Sequence, residues 1–171
     1  VLFRSYSQSV TPQITPANCN GLNNGSISLT VSGSSSPYTY SWNTTPVQTT
    51  STATGLAPGN YTCTITDVGG CTTTYNGTVG LNNNATVTAT ATPATICRGQ
   101  SAQLTATPGI GQFTTYAWSP GGQSGTTISV SPSTTTTYTV QASHASGCSA
   151  TTQVTVTIAP DPAAPQASAI S

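Results

Sequence analysis

One pattern is written twice in this chain, and nothing else in the sequence constrains the fold as much. The first copy reads Tyr40-Ser41-Trp42, then Gly59-Asn60-Tyr61-Thr62-Cys63, then Gly70-Cys71. The second reads Tyr116-Ala117-Trp118, then Thr137-Tyr138-Thr139-Val140, then Gly147-Cys148. Trp42 precedes Tyr61 by 19 positions and Trp118 precedes Tyr138 by 20. Each of those tyrosines precedes its later cysteine by 10. A further cysteine lies upstream of each Trp, Cys19 by 23 positions and Cys97 by 21. Self-similarity on this scale means tandem units. Two units in 171 residues are each smaller than the ~100 residues usual for a β-sandwich. Cores that small are marginal, and small secreted domains commonly add a disulfide.

Within both copies apolar residues alternate with Ser and Thr, the period of half-buried antiparallel strands. Ile27, Leu29 and Val31 form one such run, Tyr38, Tyr40 and Trp42 a second, and Tyr61, Cys63 and Ile65 a third. Ala102, Leu104 and Ala106, then Tyr116 and Trp118, then Tyr138 and Val140 repeat them. Ile128 and Val130 predict one more strand, and Val154, Val156 and Ile158 the last. Turn clusters such as Asn23-Asn24-Gly25, Val68-Gly69-Gly70 and Pro120-Gly121-Gly122 separate the runs. No stretch has helical periodicity. The expected fold is all-β, with two tandem Ig-like antiparallel β-sandwiches and extended terminal segments. Residues 1–16 are expected to be an extended segment able to act as a donor strand. Residues 17–82 and 83–159 are the two sandwiches, and 160–171 a Pro/Ala-rich tail.

Charge is almost absent. The formal charges are Arg4, Arg98, Asp67 and Asp161, with His144 the single imidazole. An ordinary soluble surface is roughly 25–35% charged. Here Ser and Thr hydroxyls must hydrate the outer faces, and they are also acceptors for O-glycans. Without a basic stripe, nucleic acid is excluded as a partner. Without a basic amphipathic helix or a long apolar run, membrane insertion is not expected. The chain begins at Val1 rather than Met, which predicts a mature or excised segment.

With those residues in view, the first copy resembles the SprB-type repeat of very large surface adhesins of gliding bacteria. The matching elements are Cys19-Asn20-Gly21, Asn24-Gly25-Ser26-Ile27, Pro37 to Trp42, Gly55 to Tyr61 and Thr66 to Cys71. The second copy resembles the Ig-like, PKD-like modules that accompany such repeats, through Cys97-Arg98-Gly99-Gln100-Ser101, Tyr116 to Gly122, Thr134 to Tyr138 and Gly147-Cys148. The resemblance implies an exported β-sandwich array on a cell surface. It supplies no catalytic residue.

Five cysteines leave one over. The expected pairs are Cys19 with Cys71 and Cys97 with Cys148, each closing a loop within one copy. The alternatives are Cys19 with Cys63, or an intermolecular bond through the odd thiol. Tyr61-Thr62-Cys63 echoes the Tyr-x-Cys of antibody domains, yet Ile27 to Val31 opposite it contains no cysteine. Cys63 is therefore expected to be a buried free thiol.

No metal, cofactor or catalytic centre is expected. Cys-x-x-Cys spacing is missing and the two carboxylates are far apart in sequence. His144 is read as a loop histidine and Asp67 as a turn organiser. Trp42, Tyr61, Trp118 and Tyr138 are expected in the cores rather than on a sugar platform. Sequons place candidate N-glycans at Asn24, Asn43, Asn60, Asn76 and Asn84.

Two functions follow from this sequence. The first is an extracellular fibril subunit that polymerises head to tail by strand addition, with Val1, Leu2, Phe3 and Tyr6 as the polymer contact. The second is an adhesive or carbohydrate-binding stalk, with ligand loops at 33–36, 46–51 and 108–112.

Overall fold

A computed structural model describes residues 8–160. The chain divides into two compact units, Val1–Asn84 and Ala85–Ser171. The described residues contain no helix. In unit 1 the strands are β1 (Ser9–Thr15), β2 (Ala17–Asn18), β3 (Gly25–Ser32), β4 (Thr39–Trp42), β5 (Thr52–Leu56), β6 (Gly59–Thr66), β7 (Thr72–Val79) and β8 (Leu81–Asn82). One antiparallel sheet has the order β1-β3-β5 and the other β4-β6-β7. The short β2 runs parallel to β8.

Unit 2 repeats the plan. Its strands are β9 (Val87–Thr92), β10 (Thr95–Ile96), β11 (Ala102–Pro108), β12 (Thr115–Ser119), β13 (Thr127–Val130), β14 (Thr136–Ser143) and β15 (Ser149–Ile158). The sheets are β9-β11-β13 and β10-β15-β14-β12, with β10 parallel to β15. Each unit is thus an Ig-like antiparallel sandwich, the fold class expected from the alternation.

The alternation also builds the cores. Ile27 and Leu29 of β3, Trp42 of β4, Ala53 and Leu56 of β5, Cys63 and Ile65 of β6 and Val79 of β7 close one core. In unit 2 Leu104, Trp118, Ile128, Tyr138, Val140 and Val156 do the same. Burying each large side chain contributes about 1.5–3 kcal/mol. Both indoles also satisfy their N–H, Trp42 Nε1 donating to Thr50 O and Trp118 Nε1 to Gly125 O, each at 2.9 Å. Register makes the copies comparable residue by residue: Trp42 faces Cys63 and Trp118 faces Val140.

The structure corrects the cysteine pairing. Cys71 and Cys97 are exposed free thiols, so neither expected pair exists. Cys19 and Cys148 are disulfide-bonded. The reason is strand length. The Cys19 backbone N–H donates to Asn84 Oδ1 (3.0 Å), beyond the far end of β7, whereas Cys71 immediately precedes that strand. Eight residues at about 3.3 Å each hold those positions roughly 26 Å apart. Cys97 follows β10, whose Ile96 pairs with Ile158 at the end of β15, and Cys148 precedes the start of β15. Those ten residues span roughly 33 Å. A disulfide needs Cα atoms within about 7 Å.

The N-terminal segment also differs from the expectation. Ser9–Thr15 is β1 and pairs along its length with β3 of its own unit, from Ser9↔Ser32 to Thr15↔Ser26. Val1, Leu2, Phe3 and Tyr6, the expected polymer contact, lie outside the described residues, as do residues 161–171 of the Pro/Ala-rich tail.

Candidate functional site

The two residues with most chemical promise occupy the same place in the two copies. Asp67 and His144 each open a five-residue turn that ends on a Gly-Cys pair. Asp67 N donates to Cys71 O (3.0 Å) and Gly70 N to Asp67 O (3.0 Å). His144 N donates to Cys148 O (2.9 Å) and Gly147 N to His144 O (3.0 Å). Gly70 and Gly147 have φ of 82° and 96°, the left-handed region that glycine enters without a Cβ penalty. The side chains finish the turns. Asp67 Oδ1 accepts the Cys71 N–H at 2.9 Å. His144 Nδ1 accepts the Ser146 N–H at 3.1 Å and lies 2.8 Å from Ser146 Oγ. Its Nδ1 is therefore held within its own turn. Asp67 is the one side-chain carboxylate among the described residues, and it belongs to the other unit. Among the described residues there is also no cluster of His, Cys, Asp or Glu that could hold a metal.

The aromatic residues lie inside. Trp42 is 1% exposed, Trp118 2% and Tyr138 5%. Tyr61 is half-buried, and its hydroxyl donates to Ala57 O at 3.0 Å, a link back to the turn before its own strand. That contact, two residues before Cys63, is the tyrosine corner of Ig sandwiches. Cys63 is a buried free thiol. Burial pushes its pKa up, opposed by a hydrogen bond from the Ser41 backbone. Tyr40, with Cys63 and Tyr38 as weaker causes, and Tyr75 are also raised by burial, as is Tyr138 in unit 2.

The five sequon asparagines are all exposed, and three share the outer face of β4-β6-β7. The stretches Asn60-Tyr61-Thr62 and Asn76-Gly77-Thr78 lie antiparallel, Asn60 opposite Thr78 and Thr62 opposite Asn76. Thr78 Oγ1 donates to Asn60 Oδ1 (2.7 Å), and Thr62 Oγ1 to Asn76 Oδ1 (2.8 Å). Asn43 Oδ1 accepts the Thr62 N–H at 2.8 Å. In each case the carbonyl oxygen of the amide is the atom held. Asn24 differs, because its Nδ2 donates to Asn18 Oδ1 at 2.8 Å. Asn84 Oδ1 holds the Cys19 N–H. The reciprocal pairing was hidden in the sequence because it depends on strand register.

Of the candidate ligand loops, residues 46–51 border a cleft of about 380 Å³ with Asn23, Asn43, Gln48, Leu56 and Tyr61 in its lining. Gln48 spans it, accepting the Thr54 N–H and donating to Thr54 O, both at 2.9 Å. Loop 33–36 is tied by Tyr38 Oη, which donates to Ser34 O at 2.9 Å. Loop 108–112 is pinned by three bonds to Thr86. A second cleft of about 390 Å³ lies over β12 and β14, with Ala117, Ser119, Thr139 and Gln141 in its lining.

Residues 11–46 match the family of the SprB repeat, and residues 84–160 match the Ig-like domain CHU_C associated. Domains of both kinds are typical of cell-surface proteins. No curated protein matches the chain. Among solved structures, one bearing on Dscam isoform specificity aligns at 14% identity and a TM-score of 0.44, over 90% of this chain and 47% of that one. The three N-terminal domains of the Hoc outer capsid protein of bacteriophage RB49 align at 17% and 0.40, over 90% and 59%. An amphioxus IgVJ-C2 molecule aligns at 15% and 0.44, over 83% and 100%. The chain thus spans about half the length of the first two.

Proposed function

From a chain that joins an SprB repeat to a CHU_C-associated Ig-like domain, we propose a structural subunit of an extracellular surface fibril, assembled head to tail by β-strand addition and carrying glycans on its Thr, Ser and Asn-rich faces. The single observation that carries this reading is the state of the sheet edges. Among the described residues no strand contains Lys, Arg, Asp or Glu. Sheet edges normally carry such residues to block pairing with another chain. Edges without them favour an incoming strand, whose main-chain hydrogen bonds would supply the affinity. Residues 1–7, which include Val1, Leu2, Phe3 and Tyr6, are the proposed donor. A glycan coat on Asn43, Asn60 and Asn76 would cover one sheet face and leave the edges as the route of assembly.

Negative-stain electron microscopy of native material tests the reading. Filaments with a regular axial repeat are expected, and a chain lacking residues 1–7 should not form them. Isolated particles from the intact chain would overturn it.

The cleft beside residues 46–51 favours a second reading, an adhesive stalk module. Its uncharged amide and hydroxyl lining beside the Tyr61 ring suits a neutral sugar. Binding on a glycan array, lost in Gln48→Ala, would support that reading over the fibril.

A further inference from the structure

The two exposed thiols stand at opposite ends of the repeated unit, Cys71 in unit 1 and Cys97 in unit 2. In unit 1 the chain comes in beside Cys71, where Gln8 Nε2 donates to Cys71 O at 3.3 Å. It goes out beside Cys19, whose N–H is bound by Asn84. In unit 2 the chain comes in along β9 and goes out beside Cys97, where Ala159 N donates to Ile96 O at 2.9 Å. Cys148 occupies the same turn as Cys71. Each unit therefore has a leading-end cysteine, Cys71 or Cys148, and a trailing-end cysteine, Cys19 or Cys97. Strand length forbids pairing within a unit. One cysteine of each kind is oxidised, trailing Cys19 of unit 1 and leading Cys148 of unit 2. One of each kind is free and exposed, leading Cys71 of unit 1 and trailing Cys97 of unit 2.

We infer that Cys97 of one copy and Cys71 of the next form an intermolecular disulfide that locks copies of this chain head to tail. A second copy can supply the partner thiol because each copy presents one thiol of each kind, and a chain with two reactive thiols leaves one free at each end of every product. Growth then continues instead of stopping at a dimer. Oxidised Cys19 and Cys148 show that the fold is compatible with the oxidising compartment that such bonds require. The oxidant is a small-molecule or protein disulfide. A Cys71 thiolate attacks it, forming a mixed disulfide and releasing one thiol. The Cys97 thiolate of the neighbour then attacks the Cys71 sulfur, forming the new S–S bond and releasing the second thiol. Two protein thiols lose two electrons and two protons, and one donor disulfide becomes two thiols.

The inference deepens the fibril reading and rests on it for the choice of partner. Its test uses the full chain, concentrated and incubated with oxidised glutathione, then run on a non-reducing gel. Wild type is expected to give a ladder at integer multiples of the chain mass that collapses on reduction. Cys71→Ser and Cys97→Ser alone should each lose the ladder. A mixture of the two, one of them enlarged by a tag, should give the heterodimer alone, joining Cys97 of the first to Cys71 of the second. A ladder that survives either substitution, homodimers formed as readily as the heterodimer, or a wild type that stays monomeric would each overturn the inference. Both residues are exposed, and circular dichroism of the variants confirms that the fold is kept. Microscopy of the doubly substituted chain separates the two readings. Filaments from that chain leave strand addition standing without the bond, and a wild-type ladder with no filaments from either chain leaves only the covalent link.

Discussion

Units 1 and 2 share the order of their main strands, the indole hydrogen bonds and the Gly-Cys turn, yet they fill their cores differently. Unit 2 draws Tyr116 and Tyr138 inside and buries Val140, Ala142, Val130 and Val156 around Trp118. Unit 1 has a smaller fully buried set and leaves Tyr38, Tyr40, Tyr61 and Tyr75 half-buried at its margin. Trp42 makes an edge-on contact with Tyr75, ring centroids 6.3 Å apart. Cys63 occupies the position of Val140 and Ile65 that of Ala142. The contrast teaches that topology and turn chemistry tolerate a thiol where a sister copy has a valine, provided volume and apolarity are kept.

The harshest way to break the comparison is to remove each indole. Trp42→Ala and Trp118→Ala should each cost about 3–5 kcal/mol. Circular dichroism in urea reads the loss, while the fluorescence of the surviving Trp follows the unit that still holds it. Unit 1, with less buried around its Trp, is expected to unfold at lower urea, and an earlier midpoint for unit 2 would reverse that ranking.

Cys63 sharpens it next. Cys63→Ser should cost about 1–3 kcal/mol by leaving a hydroxyl in an apolar core, while Cys63→Val should stay within about 1.5 kcal/mol. The thiol also sets an alkaline limit. Its pKa is raised in the folded unit above an ordinary value of 9.0, so the folded state holds the proton longer. Stability is then fully present below the unfolded pKa and falls as pH rises above it toward the folded value. Urea titrations from pH 7 to 10 should show this loss in the wild type. It should be smaller in Cys63→Val, and equal slopes in the two would refute the assignment.

The shared turn offers a finer test. Gly70→Ala and Gly147→Ala place a Cβ in the left-handed region and should each cost about 1–2 kcal/mol. Equal midpoint shifts in the two units would support one turn used twice, whereas a several-fold difference would show that Asp67 and His144 complete it unequally. The smallest expected effect is Tyr61→Phe. Loss of the hydroxyl bond to Ala57 should cost about 0.5–1.5 kcal/mol in thermal unfolding.

Much of this fold was legible because apolar residues alternate with Thr, Ser or other small or polar residues in β3, β4, β6, β11, β12 and β14. Strands β5, β7 and β9 were harder to read, since Ala53, Gly77, Ala89 and Ala91 stand where larger residues would have marked the inward face. The Ser9–Thr15 strand was hidden by Pro12 and by its largely exposed side chains. The cysteines misled for a different reason. The near-equal separations of Cys19 from Cys71 and of Cys97 from Cys148 arise because the positions are equivalent in the two copies, not because the members of a pair are close. Sequence distance locates a residue within a repeat, and only the direction of the intervening strand tells which end it reaches. The interlocked sequons of β6 and β7 likewise needed the register.

Strands without charge have an environmental consequence. Coulomb forces between surfaces weaken as dissolved ions accumulate, over a Debye length of about 30 Å at 0.01 M and about 3 Å at 1 M. Sheets whose described strands carry no charged side chain offer those ions almost nothing to screen. The electrostatic part of any cohesion between such sheets would therefore change little from dilute fresh water to brine.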